Sequence, residues 1–198
     1  QEVFDKLQCQ DIVSWNALIT GYAKHGCTLE VLECYERMQL EGVCSNSITF
    51  ICSLKACGAT KALQKGREIH CQVRRKGLLA TDSNVGSTLI DMYAMFGLLT
   101  NGREVFNEIQ NQDVVCWTSL ISGYVEHGYG EEALGFYEEM QLKNVIPDPV
   151  TVIGGLKACS GIHDFQKGQE LHDKIIKAGF DEKLEVGNAL VGMYCACE

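Results

Sequence analysis

Proline is nearly absent from this sequence, which has only Pro147 and Pro149 among its 198 residues. Because proline breaks a helix when it stands in the interior, its scarcity allows long helices over most of the chain. The sequence also lacks any run of about 18 apolar residues, which excludes a membrane-spanning helix. The first residues, 1–4, have neither an initiator Met nor signal or transit character, and the last ones stop inside a helical pattern. We therefore expect a segment of a longer protein.

Catalytic and metal-binding motifs are missing too. The eleven cysteines include no CxxC pair and no Cys/His spacing that suits zinc, and several stand singly within helical patterns, as Cys57, Cys71 and Cys159 do. We interpret them as small buried thiols in a reducing compartment. No histidine is followed by Glu at the second position, so both the HxE and the CxxC motif of a cytidine deaminase are absent. We expect no catalytic residues, no metal, no cofactor and no small-molecule substrate in this segment.

What the sequence does have is an internal repeat. Residues 11–26 return as residues 113–128, an offset of 102 residues, and residues 54–57 return with the same offset at 156–159. Within this unit, apolar residues at helical spacing are interrupted by glycines such as Gly26, which indicates successive helices. The motif Gly128-Tyr-Gly130-Glu-Glu-Ala133 fits a GxGxxA dinucleotide fingerprint, but it lies between two predicted helices instead of after a strand, so we interpret it as a turn.

Three helix pairs of different length make up the 102-residue unit. They cover residues 12–46, 47–82 and 83–113, which are 35, 36 and 31 residues long; the pattern restarts in 114–148 and 149–183, is truncated in 184–198, and residues 1–11 match the tail of a preceding short repeat. Stacked pairs bury a continuous core that a single pair cannot. We predict an all-α solenoid whose core contains Trp15, Leu18, Tyr22, Tyr35, Met38 and their copies Trp117, Leu120, Tyr124, Tyr137 and Met140.

These lengths and residues resemble the pentatricopeptide repeat family, in particular its plant PLS subclass, in which repeats of about 35, 36 and 31 residues alternate. The matching signatures are residues 13–22, 54–70 and 92–98, and the resemblance covers essentially the whole chain. Tetratricopeptide repeats hold about 34 residues and do not cycle in length. The resemblance implies a right-handed superhelical solenoid of helix–turn–helix repeats. It also implies sequence-specific binding of single-stranded RNA in a chloroplast or mitochondrion, as part of RNA processing or C-to-U RNA editing.

The resemblance further implies that two side chains per repeat select one base: one in the first turn of the first helix, and the last residue of the repeat. We call these two residues a recognition pair. The pairs are Asn16 with Asn46, Ile51 with Asp82, Ser87 with Asp113, Thr118 with Asp148 and Ile153 with Lys183, and Asn188 is the first member in the truncated repeat.

Side-chain chemistry suits such a role. A carboxamide offers a donor and an acceptor to a pyrimidine edge, a hydroxyl leaves room for a purine, an aspartate accepts from the guanine amino group, and Ile has no hydrogen-bonding tip. The implied target is 5′-pyrimidine-any-G-G-any-3′.

Two further roles follow from the resemblance. Apolar residues at the second position of each first helix clamp the bases, and the matching residues are Val13, Ile48, Val115 and Val150. Asn84 and Glu185 depart from this pattern, which puts base clamping by the short repeats in doubt. Lys24 matches a lysine that faces phosphate in the family, whereas its copy is Glu126.

Two alternatives stay open at this point. Aspartates and asparagines before helices ordinarily cap them, so the recognition pairs could be capping residues. The net charge of −9 lacks the basic footprint of a nucleic-acid binder, although the acidic residues concentrate in the second helices, away from the expected RNA face. The chain could instead be a protein-interaction scaffold that docks accessory organellar RNA editing factors.

Overall fold

The computed structural model describes Phe4 and residues 11–197, and α-helices fill most of this part of the chain. Neither a strand nor a helix long and apolar enough to cross a membrane is found among these residues. The helices are α1 (Ile12–Lys24), α2 (Thr28–Leu40), α3 (Ser47–Thr60), α4 (Leu63–Arg75), α5 (Leu78–Thr81), α6 (Ser83–Met95), α7 (Leu99–Glu108), α8 (Val114–Glu126), α9 (Gly130–Leu142), α10 (Pro149–Ile162), α11 (Phe165–Ala178) and α12 (Leu184–Cys197).

Side-chain caps and glycines set the helix boundaries. The residue before each of α1, α3, α6, α8 and α10 is an Asp or Asn whose side chain accepts a backbone N–H from the first turn. This bond satisfies one of the donors that a helix start leaves unpaired. Gly26 and Gly128 follow the ends of α1 and α8 with φ of 72° and 80°, a left-handed conformation that glycine adopts without steric cost. The sequence signals for helix ends are thus confirmed.

The helices form two layers. α1, α3, α6, α8, α10 and α12 form a row in which each packs against the next, and we call them the first helices. The second helices, α2, α4, α7, α9 and α11, pack on the first helix of their own repeat and on that of the following one. Each pair therefore contacts mainly its neighbours in sequence, which confirms the predicted all-α solenoid.

The predicted core residues are buried in the second 102-residue unit and most of them in the first. Trp15 and Trp117 are fully buried, and each meets a phenylalanine edge-on at a centroid distance of 4.5 Å, Phe4 and Phe106 respectively. Leu18 and Tyr22 are only half-buried, whereas their copies Leu120 and Tyr124 are buried. The α8 face that carries Leu120 and Tyr124 packs against α6 and α7. Among the described residues, no preceding helix pair covers the equivalent face of α1.

Two features differ from the sequence-based expectations. The short helix α5 was not predicted; it follows α4 and buries Leu79 against the core. The cysteines are not uniformly buried: Cys57 and Cys159 are, but Cys71 is exposed on α4. Its place in a helical pattern predicts a buried Cys71, yet on this amphipathic helix Ile69 and Val73 occupy the buried face.

Candidate nucleic-acid interface

Exposed apolar side chains recur along the row of first helices. Val13, Ile48, Val115 and Val150, the predicted base clamps, are between 45% and 70% exposed although they stand one residue inside their helices. A single exposed apolar residue is ordinary, but three valines and an isoleucine at the same position of four repeats make a patterned apolar surface. Asn84 and Glu185 occupy the same position in the short repeats and are exposed as well. We call the surface formed by these six residues the clamp row.

The structure brings Asn16 and Asn46 together through a third residue, Thr49. The Thr49 hydroxyl lies 2.9 Å from Asn16 Oδ1 and 3.0 Å from Asn46 Oδ1, and the Thr49 backbone N–H donates to Asn46 Oδ1 at 3.2 Å. Thr49 is fully buried, whereas Asn16 is half-buried and Asn46 is exposed. The two members of this recognition pair therefore share one buried hydroxyl and keep a side open to solvent.

The same arrangement recurs 102 residues later. Thr151, also fully buried, places its hydroxyl 2.7 Å from Thr118 Oγ1 and 2.7 Å from Asp148 Oδ1, and its backbone N–H donates to Asp148 Oδ1 at 2.8 Å. Thr118 and Asp148 are both half-buried. Sequence reasoning missed Thr49 and Thr151, although their 102-residue spacing and their place at the third position of a first helix were visible.

The short repeat is built differently. Ser87 is only 4% exposed, and its hydroxyl donates to the Asn84 backbone oxygen at 3.1 Å. Asp113 instead accepts from the Ser83 hydroxyl at 2.5 Å and from the Cys116 backbone N–H at 3.1 Å. Burial alone would raise the pKa of Asp113, but these hydrogen bonds outweigh it and lower the pKa. Ser87 and Asp113 are thus not joined by a shared hydroxyl.

The long repeats place apolar side chains at the first recognition position. Ile51 and Ile153 are partly buried against the core. Asp82 caps α6 by accepting the Asn84 backbone N–H at 3.1 Å. The Lys183 ammonium lies 5.8 Å from the centroid of the Phe180 ring, a cation–π geometry. In the truncated repeat Asn188 is exposed on α12.

Capping and recognition are compatible uses of the same side chain. Asp11, Asn46, Asp82, Asp113 and Asp148 all cap helices, so the capping interpretation is correct as far as it goes. Asp148 makes its capping bond and its bond to Thr151 through Oδ1 alone. Its second carboxylate oxygen, Oδ2, remains for another partner, because an ionised carboxylate has about four acceptor positions.

Much of the acidic charge lies on the second helices. Glu30, Glu33 and Glu36 are exposed on α2, as are four glutamates of α9: Glu131, Glu132, Glu138 and Glu139. Some are paired with lysines of the next repeat: Glu36 lies 2.8 Å from Lys65, and Glu138 forms an ion pair with Lys167. On the first helices, Lys24 is exposed in the last turn of α1, and Glu126 stands at the equivalent point of α8.

Two histidines join neighbouring repeats and have no visible catalytic arrangement. His70 on α4 places Nδ1 2.8 Å from the Tyr93 hydroxyl on α6, and His172 on α11 makes the same 2.8 Å contact with Tyr194 on α12. The rings meet edge-on in both pairs. Burial lowers the pKa of His70 and so favours its neutral form. These recurring contacts indicate that the two histidines are structural.

Residues 10–59 and 112–161 match the PPR repeat family, and residues 87–114 match the PPR repeat. The chain is 34% identical over 194 residues to "Pentatricopeptide repeat-containing protein At4g18520, chloroplastic" of Arabidopsis thaliana, covering 98% of this chain and 31% of that protein. It is 33% identical to "Pentatricopeptide repeat-containing protein At3g09040, mitochondrial" of the same plant, covering 99% of this chain and 19% of that protein. The chain thus spans less than a third of either relative.

A solved structure shares the fold. The crystal structure of the pentatricopeptide repeat protein PPR10 in complex with an 18-nt psaJ RNA element superposes with a TM-score of 0.71 at 19% identity, covering 92% of this chain and 27% of that one.

Proposed function

Because the chain belongs to the pentatricopeptide repeat family, we propose that it is an RNA-binding module that contacts single-stranded RNA through the clamp row and the recognition pairs. Several of its relatives are named as chloroplastic or mitochondrial proteins, which supports an organellar location for the protein to which this chain belongs. Support for the RNA ligand comes from PPR10, whose structure contains an RNA element. A helical repeat fold is compatible with many kinds of partner. The choice of RNA therefore depends on the side chains of the clamp row and the recognition pairs.

The observation that carries it is the shared geometry of the two 35-residue repeats. In each, an exposed β-branched apolar residue lies three residues before a half-buried polar one, as Val115 does before Thr118. A capping residue from the end of the repeat is hydrogen-bonded to the same buried threonine. An apolar contact beside a polar pair is what an unstacked base needs, since its faces are apolar and its edge is polar.

Within this proposal, Asn16 with Asn46 contacts a pyrimidine and Thr118 with Asp148 contacts a guanine three bases further on. Ser87 with Asp113 would supply the other guanine of the pyrimidine-N-G-G target, but the buried Ser87 gives that site less support than the other two. The repeat boundaries at 12–46, 47–82, 83–113, 114–148, 149–183 and 184–198, the PLS subclass, and a role in RNA processing or C-to-U editing belong to the same proposal.

The test is fluorescence-anisotropy titration of a labelled RNA that contains pyrimidine-N-G-G against one in which both guanines are uracil. We expect tighter binding to the first RNA, by on the order of tenfold for each contact to a charged group that is lost. Thr118→Asn should reduce the preference for the first RNA, because the contact to its second guanine is lost. Thr100→Asn, the same change at an exposed position of the second helix α7, is the matched control and should leave the preference for the first RNA unchanged. Equal binding to both RNAs would contradict base recognition.

A second candidate function rests on exposed apolar residues outside the clamp row. Leu40 and its copy Leu142 end α2 and α9 with more than four-fifths of their surface exposed, and Ile146 is equally open. Such residues suit the docking of a protein, including an accessory editing factor. Absence of RNA binding at low salt would favour this scaffold function, because electrostatic contacts to phosphate are strongest there.

A further inference from the structure

A buried threonine follows each 35-residue repeat, and its hydroxyl has a single proton to donate. A hydroxyl donates one hydrogen bond and accepts up to two. Thr151 has two oxygen neighbours at 2.7 Å, Asp148 Oδ1 and Thr118 Oγ1, and it also accepts the Asp148 backbone N–H at 3.3 Å. Since Thr151 is fully buried, bulk water does not supply a further partner. Which group donates in each hydrogen bond among Thr118, Thr151 and Asp148 is therefore determined by the other bonds of the three.

The carboxylate decides the direction at Thr151. An ionised aspartate only accepts, so the Thr151 proton must point to Asp148 Oδ1; otherwise two oxygens would face each other at 2.7 Å with no proton between them. Thr151 then has only lone pairs to offer Thr118, and the Thr118 hydroxyl has to donate. The relay runs from Thr118 to Thr151 to Asp148.

As a result, this recognition pair presents only acceptors to a base. The Thr118 proton is already used, so its free side carries lone pairs, and Asp148 adds Oδ2. Guanine shows two adjacent donors on its Watson–Crick edge, N1–H and the N2 amino group. Adenine shows an acceptor, N1, where guanine has a donor, so it would meet the lone pairs of Thr118 with one of its own.

The equivalent threonine after the first 35-residue repeat, Thr49, has the opposite effect. Here both neighbours are carboxamides, and the Thr49 side-chain and backbone donors hold the oxygens of Asn16 and Asn46. With both oxygens held toward Thr49, the amino groups of the two carboxamides point away from it and can donate to a base. This pair therefore presents donors.

No other described repeat has this relay. The equivalent position after the short repeat is Cys116, whose thiol donates to the Ser83 backbone oxygen at 3.5 Å and also interacts with Asp113. It does not join Asp113 to Ser87, because the Ser87 hydroxyl donates to the Asn84 backbone oxygen. After the long repeats it is Val85 and Val186, both fully buried and without a hydrogen-bonding group. Within Phe4 and residues 11–197, the device is thus confined to the recognition pairs of the repeats at 12–46 and 114–148.

We propose that Thr49 and Thr151 are specificity-determining positioning residues: each fixes whether its recognition pair presents donors or acceptors, without itself touching the RNA. This inference rests on the proposed RNA binding and adds a third residue, taken from the following repeat, to each of these two pairs.

The test replaces Thr151 with Val, which keeps the shape of the side chain and removes the hydroxyl. Freed from the relay, Thr118 can turn its proton toward adenine N1. We expect the preference for an RNA with guanine at this position over one with adenine to fall on the order of tenfold, as for the loss of a hydrogen bond to a charged group. Thr151→Ser should restore the preference. Thr151→Ala also lacks the hydroxyl and serves as a second variant if the valine disturbs folding, which circular dichroism reports.

The ratio of the two affinities separates a positioning role from a structural one, because a loosened fold weakens binding to both RNAs alike. Thr49→Val, the same change beside the Asn16–Asn46 pair, is the matched control and should leave the guanine-to-adenine ratio at the Thr118–Asp148 site unchanged. If the wild type prefers guanine and Thr151→Val keeps that ratio, the relay is overturned while the proposed function stands. If the wild type binds no RNA, both are overturned.

Discussion

Gly130, the first residue of α9, lies at a close approach between α9 and α10. A β-carbon at this position would stand 2.9 Å from the backbone oxygen of Ala158 and 2.7 Å from Ile162 Cγ2, both on α10. The backbone oxygen cannot rotate away as a side chain can, so an alanine here forces α9 and α10 apart. Gly135 on the same helix is a matched control, because a β-carbon there meets nothing within 4 Å.

We expect Gly130→Ala to lower the free energy of unfolding by about 1–3 kcal/mol, the usual cost of overpacking. Gly135→Ala should raise it by about 0.5–1 kcal/mol, since alanine loses less backbone entropy in a helix than glycine does. Urea titrations followed by far-UV circular dichroism give both values from the midpoint and the slope. The two variants should therefore shift the midpoint in opposite directions.

The first 102-residue unit shows how the steric argument could fail. The residue equivalent to Gly130 is Thr28, so the α2–α3 pair accommodates a β-carbon at this place. Stability of Gly130→Ala equal to or above that of Gly135→Ala would mean that α9 and α10 relax in the same way, and the steric argument would be refuted.

Two further expectations concern the core and the link between repeats. Trp117→Ala should cost about 3–5 kcal/mol of unfolding free energy, whereas Trp117→Phe should cost clearly less, because the buried indole Nε1 has no hydrogen-bond partner to lose; equal losses in urea titrations would contradict this. Burial lowers the pKa of His70, so the unfolded chain binds a proton first, and stability should be full above about pH 6.5 and fall as the pH drops below it. The urea midpoint at pH 7.5 and 5.5 should move less in His70→Phe than in the wild type, and identical movement would argue against His70 as the source.

The fold could be predicted almost completely from the sequence because its signals are local. Capping residues such as Asp113, breaking glycines such as Gly26, and apolar residues at helical spacing each act within one or two turns. The 102-residue repetition then made stacking of the pairs the natural way to bury those apolar faces.

The chemistry of the candidate site was less accessible, because it depends on contacts between repeats. Asn16 is 33 residues from Thr49, and Thr118 is equally far from Thr151; whether they touch depends on how adjacent helices pack. The burial of Ser87 has the same origin. Sequence reasoning assigned it the role of Thr118 by its position in the repeat, but in the short repeat this position packs against neighbouring residues.

The stacking order also bears on how such a chain could lengthen or shorten. Removal of residues 47–148 would join Asn46 directly to Pro149, so that a 35-residue repeat would still be followed by a long one. Asn46 already has the extended backbone that a residue before proline requires, and Thr151 would stand at the capping position that Thr49 holds. Unequal recombination between the two halves of the coding sequence would thus remove three repeats in frame. Each remaining interface would still join the same two types of repeat as before.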